Sequence, residues 1–258
     1  MPLYCVRAAS RVFLSYPMKV LLCAAIFSAQ SGFGTTVIVL RVKDKVWIAA
    51  DSMQTSEKLT THRSACKILK SGHFYWAASG AVSDNVTGFK LSALVDRVKS
   101  QEGSLRSKLD TFILESKKPL AQELTAIKKV DPVYFSEALS RQCIWEIVFV
   151  GIERRRPTFV WVCIGGREVN GQIILDGTSQ QASTTVDPLG DVLLLGESEA
   201  AKSYIVDRRS KLNTDPIGVL RGSIVVEELE KPQLVGGEIS IVEISDNGLT
   251  WIDKGKCK

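Results

Sequence analysis

The order in which two hydrophobic periodicities alternate constrains this chain more than any other feature. Thr35–Val42 (TTVIVLRV) is β-branched and apolar, Lys43-Asp44-Lys45 is a polar turn, and Val46–Ala50 is apolar again, which predicts a β-hairpin. A second hairpin is expected from Ala65–Lys70, a Ser71-Gly72 turn and His73–Ala78. The period then lengthens. Val86, Phe89, Leu91, Leu94, Val95 and Val98 fall near helical spacing behind Asp84, a good N-cap. Ser104–Lys129 reads as a second helix, with Leu105, Leu109, Phe112, Ile113, Leu120 and Leu124 inward. Strands are expected again at Ile144–Ile152, Thr158–Ile164, Glu168–Leu175 and Leu193–Leu195. Helices should follow at Glu197–Asp207 and Asp215–Glu230, and a hairpin around Asp246-Asn247-Gly248 should close the chain with Glu238–Ser245 and Leu249–Ile252. Runs of strands separated from runs of helices imply an α+β fold of stacked sheets with helices outside. That is a four-layer αββα sandwich rather than alternating βαβ units.

Residues 1–34 differ from everything after them. They contain no acid, and the basic Arg7, Arg11 and Lys19 precede the apolar Val20–Ala29 (VLLCAAIFSA) and the small-residue stretch SAQSGFG. A basic start, a short apolar middle and a small-residue end are the parts of a secretory signal peptide. Residues 1–34 are therefore expected to be a cleavable signal peptide or propeptide, with 35–258 as the folded domain. A buried N-terminal helix is the alternative. The apolar run falls short of the roughly 20 residues of a membrane helix, so no stable membrane anchor is expected. Export to the periplasm or exterior follows if the signal is real, and a cytoplasmic location if it is not.

Charge and cysteine content exclude further classes. Removing the three basic residues of the leader from a formal +5 leaves +2, with no basic stripe interleaved with aromatics, so nucleic acid is not an expected partner. Cys66, Cys143, Cys163 and Cys257 follow the leader without a CxxC pair, and the chain has two histidines, so no metal site is expected. One or two disulfides are possible in an oxidising compartment, but spacing does not fix their pairing. No glycine-rich phosphate loop occurs, and Gly165-Gly166 is isolated. No cofactor is expected.

Three residues together carry a chemistry. A threonine hydroxyl is a poor nucleophile at neutral pH and needs a base. If Thr35 becomes the first residue, its own α-amine lies within reach, with an unperturbed pKa of about 7.7–8.0. A nearby ammonium lowers that pKa and favours the proton-accepting amine, and Lys67 can supply the charge. Asp51, brought beside Thr35 and Thr36 by the first hairpin, can hold Lys67 and offset the cost of burying it. Taken singly, each residue has an ordinary explanation: a strand start, a turn cap and a strand lysine.

The local sequence around them resembles the N-terminal-nucleophile (Ntn) hydrolases of the proteasome β-subunit type, including the bacterial proteasome-like peptidases. The resemblance rests on GTTVIVLRVKDKVWIAADSMQTS at 34–56, ACKIL at 65–69 and AASGAVSD at 77–84. Thr35 follows Gly34, which would make Gly34-Thr35 the cleavage junction. Asp51 lies 16 positions after Thr35 and Lys67 lies 32 after it, the spacings of that family's catalytic aspartate and lysine. Ser79-Gly80 corresponds to the turn whose backbone binds the oxyanion. The resemblance implies a threonine peptidase or amidohydrolase acting on a peptide or amide substrate, with homo-oligomeric assembly common among members.

Towards the C-terminus the pattern departs. GESEAA at 196–201 matches a supporting turn, but Glu197 stands where a serine is expected, and Glu197 or Ser198 could substitute for it. VGGEISIV at 235–242 keeps Gly236-Gly237, while Pro232 and Val235 replace the expected aspartate and serine. Two alternatives stay open: a catalytically inactive scaffold or ring subunit, and an amidase on small amides with the same mechanism. Gly196-Glu197-Ser198 also resembles the nucleophile elbow of an α/β-hydrolase. That arrangement needs a histidine downstream of the serine, and His62 and His73 both lie upstream.

Overall fold

The computed structural model describes residues 35–55, 62–80, 82–83, 88–182 and 190–257. The proposed leader, Gly34 and Asp84 lie outside the described residues.

The first hairpin forms as its sequence requires. Strand β1 (Thr36–Val42) runs antiparallel to β2 (Lys45–Ala50), with Val42 opposite Lys45 and Val37 opposite Ala50. The chain then makes a small separate ladder, β3 (Met53–Thr55) with β4 (His62–Ser64). The second hairpin is shorter than its sequence suggests. β5 spans only Leu69–Ser71 and pairs with β6 (Phe74–Ser79), so the turn is Gly72-His73 rather than Ser71-Gly72. Lys67 is therefore not a strand residue. Residues 65–68 are irregular, tied instead by a bond from the Ala65 amide to the Ser52 carbonyl (2.8 Å) and by a Cys66–Cys257 disulfide.

Helix α1 covers Leu91–Val98, later than the helical spacing behind Asp84 suggests. Phe89 is buried without being helical, because a bridge between Ser83 and Lys90 and a bond from the Leu91 amide to the Val82 carbonyl hold the approach extended. Helix α2 (Leu105–Val130) begins where expected, its N-cap Ser104 accepting from the Ser107 amide at 3.1 Å. Helix α3 (Pro132–Ser140) is an element beyond those expected, and Asp131 capping the Tyr134 amide at 2.9 Å and Pro132 in the first turn are its start signals.

Strands β7 (Trp145–Glu153), β8 (Arg156–Val169) and β9 (Gln172–Gln181) form a long meander. The expected break near Gly165-Gly166 does not occur. A Cβ at Gly165 would lie 2.5 Å from the Gln142 carbonyl oxygen, so glycine there permits close packing and the strand continues to a turn at Asn170-Gly171. Strand β10 (Asp191–Gly196), helices α4 (Glu199–Asp207) and α5 (Pro216–Glu230), and strands β11 (Ser240–Ser245) and β12 (Gly248–Asp253) complete the chain. A second disulfide joins Cys143 to Cys163.

The strands make two five-stranded antiparallel sheets, ordered β10-β1-β2-β11-β12 and β5-β6-β7-β8-β9, so the fold is α+β. Alternation along β1 divides the apolar interior. Ile38 and Leu40 pack with Ile205, Val219, Leu220 and Ile224 of α4 and α5. Val37 and Val39 instead join Ile48, Ala77, Val148 and Val150, which unites the two sheets. On the second sheet, Phe149, Val160 and Val162 pack with Leu94, Leu109, Phe112 and Leu124 of α1 and α2. Among the described residues, no helix is long and apolar enough to cross a membrane.

Candidate active site

Asp51 ends β2 one register step beyond Ala50, and it is 1% exposed. A buried carboxylate is tolerated only when its lone pairs are filled by donors. Oδ1 accepts from the Thr36 amide at 2.9 Å and from Lys67 Nζ at 2.8 Å. Oδ2 accepts from the Met53 and Gly236 amides, both at 3.2 Å. Thus the two ends of the sequence meet on one side chain. The Gly236 carbonyl returns the favour by accepting from the Ser52 and Met53 amides at 3.2 and 2.9 Å, and Ser52 Oγ accepts from the Glu238 amide at 2.8 Å.

Lys67 reaches this carboxylate from an irregular segment, with a side chain 10% exposed. Burial holds its ammonium below the ordinary lysine range, and the adjacent Asp51 charge and hydrogen bond pull the other way. A lysine of reduced proton affinity beside a carboxylate is equipped to pass a proton or to bias a neighbouring amine. Thr35 directly precedes the Asp51-bound Thr36, and the alternation along β1 assigns position 35 to the same face as Val37 and Val39, between the sheets. Its carbonyl accepts from the Glu197 amide at 2.9 Å, and the Thr36 hydroxyl donates to the Glu197 carbonyl.

Ser79 and Gly80 come to the same end of the molecule. Gly196 lies between them and Thr35: a Cβ added there would stand 2.0 Å from the Thr35 carbonyl oxygen and 3.1 Å from Ser79 Cβ, and its φ of +77° also requires glycine. The Ser79 hydroxyl is committed, however. It donates to Glu146 Oε2 at 3.0 Å, and the same oxygen accepts from the Gly196 amide at 2.6 Å. Burial raises the Glu146 carboxyl above the ordinary glutamate range, with the Glu197 charge adding to the effect and the two hydrogen bonds opposing it.

Glu146 is the site-proximal residue the sequence reading missed. Its signal was present, since a single acid interrupts WEIVFV where every other position is apolar. The proposed substitutes at 197 and 198 are occupied elsewhere. The Glu197 carboxylate pairs with Lys231 and, at 4.0 Å, with Arg141. Ser198 Oγ donates to the Gly196 carbonyl at 3.3 Å. Pro232 is exposed, whereas Val235 is fully buried among the apolar residues under α5.

No protein-family model matches this chain, and no curated protein matches it significantly.

Proposed function

We propose that this chain is an amide-bond hydrolase of the N-terminal-nucleophile type, similar to proteasome β subunits, in which Thr35 becomes the first residue once 1–34 are removed. The observation that carries this reading is the chain of bonds from Lys67 Nζ through Asp51 Oδ1 to the Thr36 amide, immediately beside Thr35. In the reaction, Thr35 Oγ1 attacks the substrate carbonyl while its freed α-amine takes the hydroxyl proton. Lys67 lowers the proton affinity of that amine, and Asp51 holds Lys67. With the Ser79 hydroxyl donated to Glu146, the backbone of the Ser79-Gly80 turn is the element left to face the oxyanion. The α-ammonium returns that proton to the departing amine as the amide C–N bond breaks, leaving an ester on Thr35. One water molecule then hydrolyses the ester to a carboxylic acid and the free Thr35 hydroxyl.

Other observations support the same reading. Three apolar layers, helix against sheet, sheet against sheet and sheet against helix, fit a four-layer αββα sandwich with the nucleophile at the mouth of the central layer. Two disulfides fit export to an oxidising compartment. Peptides and small amides are both admissible substrates, and homo-oligomers are an admissible assembly. A second reading, an inactive scaffold, is favoured by one observation: the Glu197 carboxylate is turned to Lys231 and Arg141, so it does not replace the expected serine.

Intact-mass analysis of the purified protein, followed by hydrolysis assays on peptide and amide substrates, tests the proposal. A product starting at Thr35 with activity abolished by Thr35→Ala is expected. A mature chain starting before Thr35, or hydrolysis surviving Thr35→Ala, overturns it.

A further inference from the structure

Glu146 is a half-buried acid in an apolar strand, and the reaction above gives it no part. Its position is unusual in connecting the two sheets. Ser79 stands directly opposite it on β6, within the second sheet, and Gly196 belongs to β10 of the first. Both bond to the same carboxylate oxygen, at 3.0 and 2.6 Å. By alternation, Glu146 shares its strand face with Val148 and Val150, and Ser79 shares its own with Ala77, so the contact closes the end of the inter-sheet layer. Beyond Gly196 the path to Thr35 has no slack. The next amide, that of Glu197, holds the Thr35 carbonyl at 2.9 Å, and a Cβ at Gly196 would collide with that same oxygen.

We propose that Glu146 is a positioning residue that clamps Ser79 and Gly196 together around Thr35, fixing the nucleophile relative to the oxyanion turn. The proposal rests on the threonine-hydrolase reading above. A negative charge suits the task, because a charged acceptor binds two donors more tightly than a neutral one. Few groups disturb it. On its own sheet it faces Ser79 from β6 and the disulfide-bonded Cys163 from β8. From the first sheet it faces the Gly196 amide and the charge of Glu197, which Lys231 and Arg141 in turn offset. Protonation weakens both bonds at once, so acid loosens the clamp. Burial moves that event to a higher pH than an ordinary glutamate allows.

The test uses the processed full chain, with Glu146→Gln, Glu146→Ala and wild type compared over a pH series by steady-state hydrolysis. The Gly196 amide is followed in parallel by NMR of glycine-labelled protein. Wild type should show a titration of the Gly196 amide and, over the same pH range, a fall in kcat beyond the one that protonation of the Thr35 α-amine produces. Glu146→Ala should lower kcat about ten- to a hundredfold with KM nearly unchanged, the scale expected for a misplaced reacting group. Glu146→Gln, which keeps the shape and a neutral oxygen acceptor but cannot ionise, should give a kcat between those of wild type and Glu146→Ala and remove the amide titration, while the acid limb set by the Thr35 α-amine remains. A Gly196 amide indifferent to pH in wild type, or one that still titrates in the same way in Glu146→Gln, overturns the clamp. If no substrate is hydrolysed at all, the enzymatic reading fails by itself, and the Gly196 titration still decides whether Glu146 holds that turn.

Discussion

Removing Asp51 should destabilise this protein far more than removing the lysine that binds it. The asymmetry follows from the donors around the carboxylate. In Lys67→Met, Asp51 loses one bond but still accepts from the Thr36, Met53 and Gly236 amides. The methionine also avoids burying an ammonium. That variant leaves the carboxylate without its counter-charge but with three amide donors, so a loss of about 1.5–3 kcal/mol, the value of one hydrogen bond to a charged group, is expected. In Asp51→Ala, Lys67 is left in its buried position without that carboxylate, and three main-chain amides lose their acceptor. Breaking a buried pair this way costs about 3–5 kcal/mol, and each orphaned amide adds about 1–3 kcal/mol unless water enters. A net loss of at least about 4 kcal/mol follows, or roughly 8–16 °C in Tm for a domain of this size. Urea denaturation with both disulfides intact measures the two variants, and the double variant supplies the coupling. A Lys67→Met loss equal to or greater than that of Asp51→Ala would refute the account, since it would make the lysine the anchor.

Three further expectations concern the same region. Because burial lowers the Lys67 proton affinity, the folded state releases that proton at lower pH than the unfolded chain does. Stability contributed by Lys67 therefore rises with pH, from the folded pKa up to the ordinary 10.5, and the wild-type minus Lys67→Met difference should climb on the alkaline side; a falling difference contradicts it. The Cys66–Cys257 disulfide closes a separation of 191 residues, for which loop-closure entropy sets a stabilisation of about 5 kcal/mol, against about 3 kcal/mol for the 20-residue separation of Cys143–Cys163. Paired serine substitutions at the first should cost more stability than at the second, and only the first should depress hydrolysis, since Cys66 adjoins Lys67; equal effects on turnover would refute that link. Gly196→Ala should lose at least about 2 kcal/mol by thermal denaturation and nearly all activity, because its φ of +77° and the Thr35 oxygen leave no room for a methyl; a variant with wild-type Tm would show that Thr35 is held loosely.

What the sequence determined by itself is local. The β-branched runs flanking Lys43-Asp44-Lys45 specify a tight hairpin, and its register delivers Asp51 to the amide of Thr36 without help from distant residues. Ser104 and the apolar spacing behind it specify α2 for the same reason, since caps and periodicity act within a few residues. Tertiary structure decided what depends on partners far along the chain. Lys67 lies in a segment with no ladder of its own, so its placement waits on Ser52, Cys257 and Asp51 rather than on strand alternation. Gly165 and Gly166 read as a break until Gln142 and Leu175 pack against them, and then glycine is what lets β8 run on. Glu146 was visible only as an acid out of place in an apolar strand. Its role depends on Ser79, 67 positions before it, and Gly196, 50 after, and such long-range pairings come from the packing of two sheets, which no local pattern encodes.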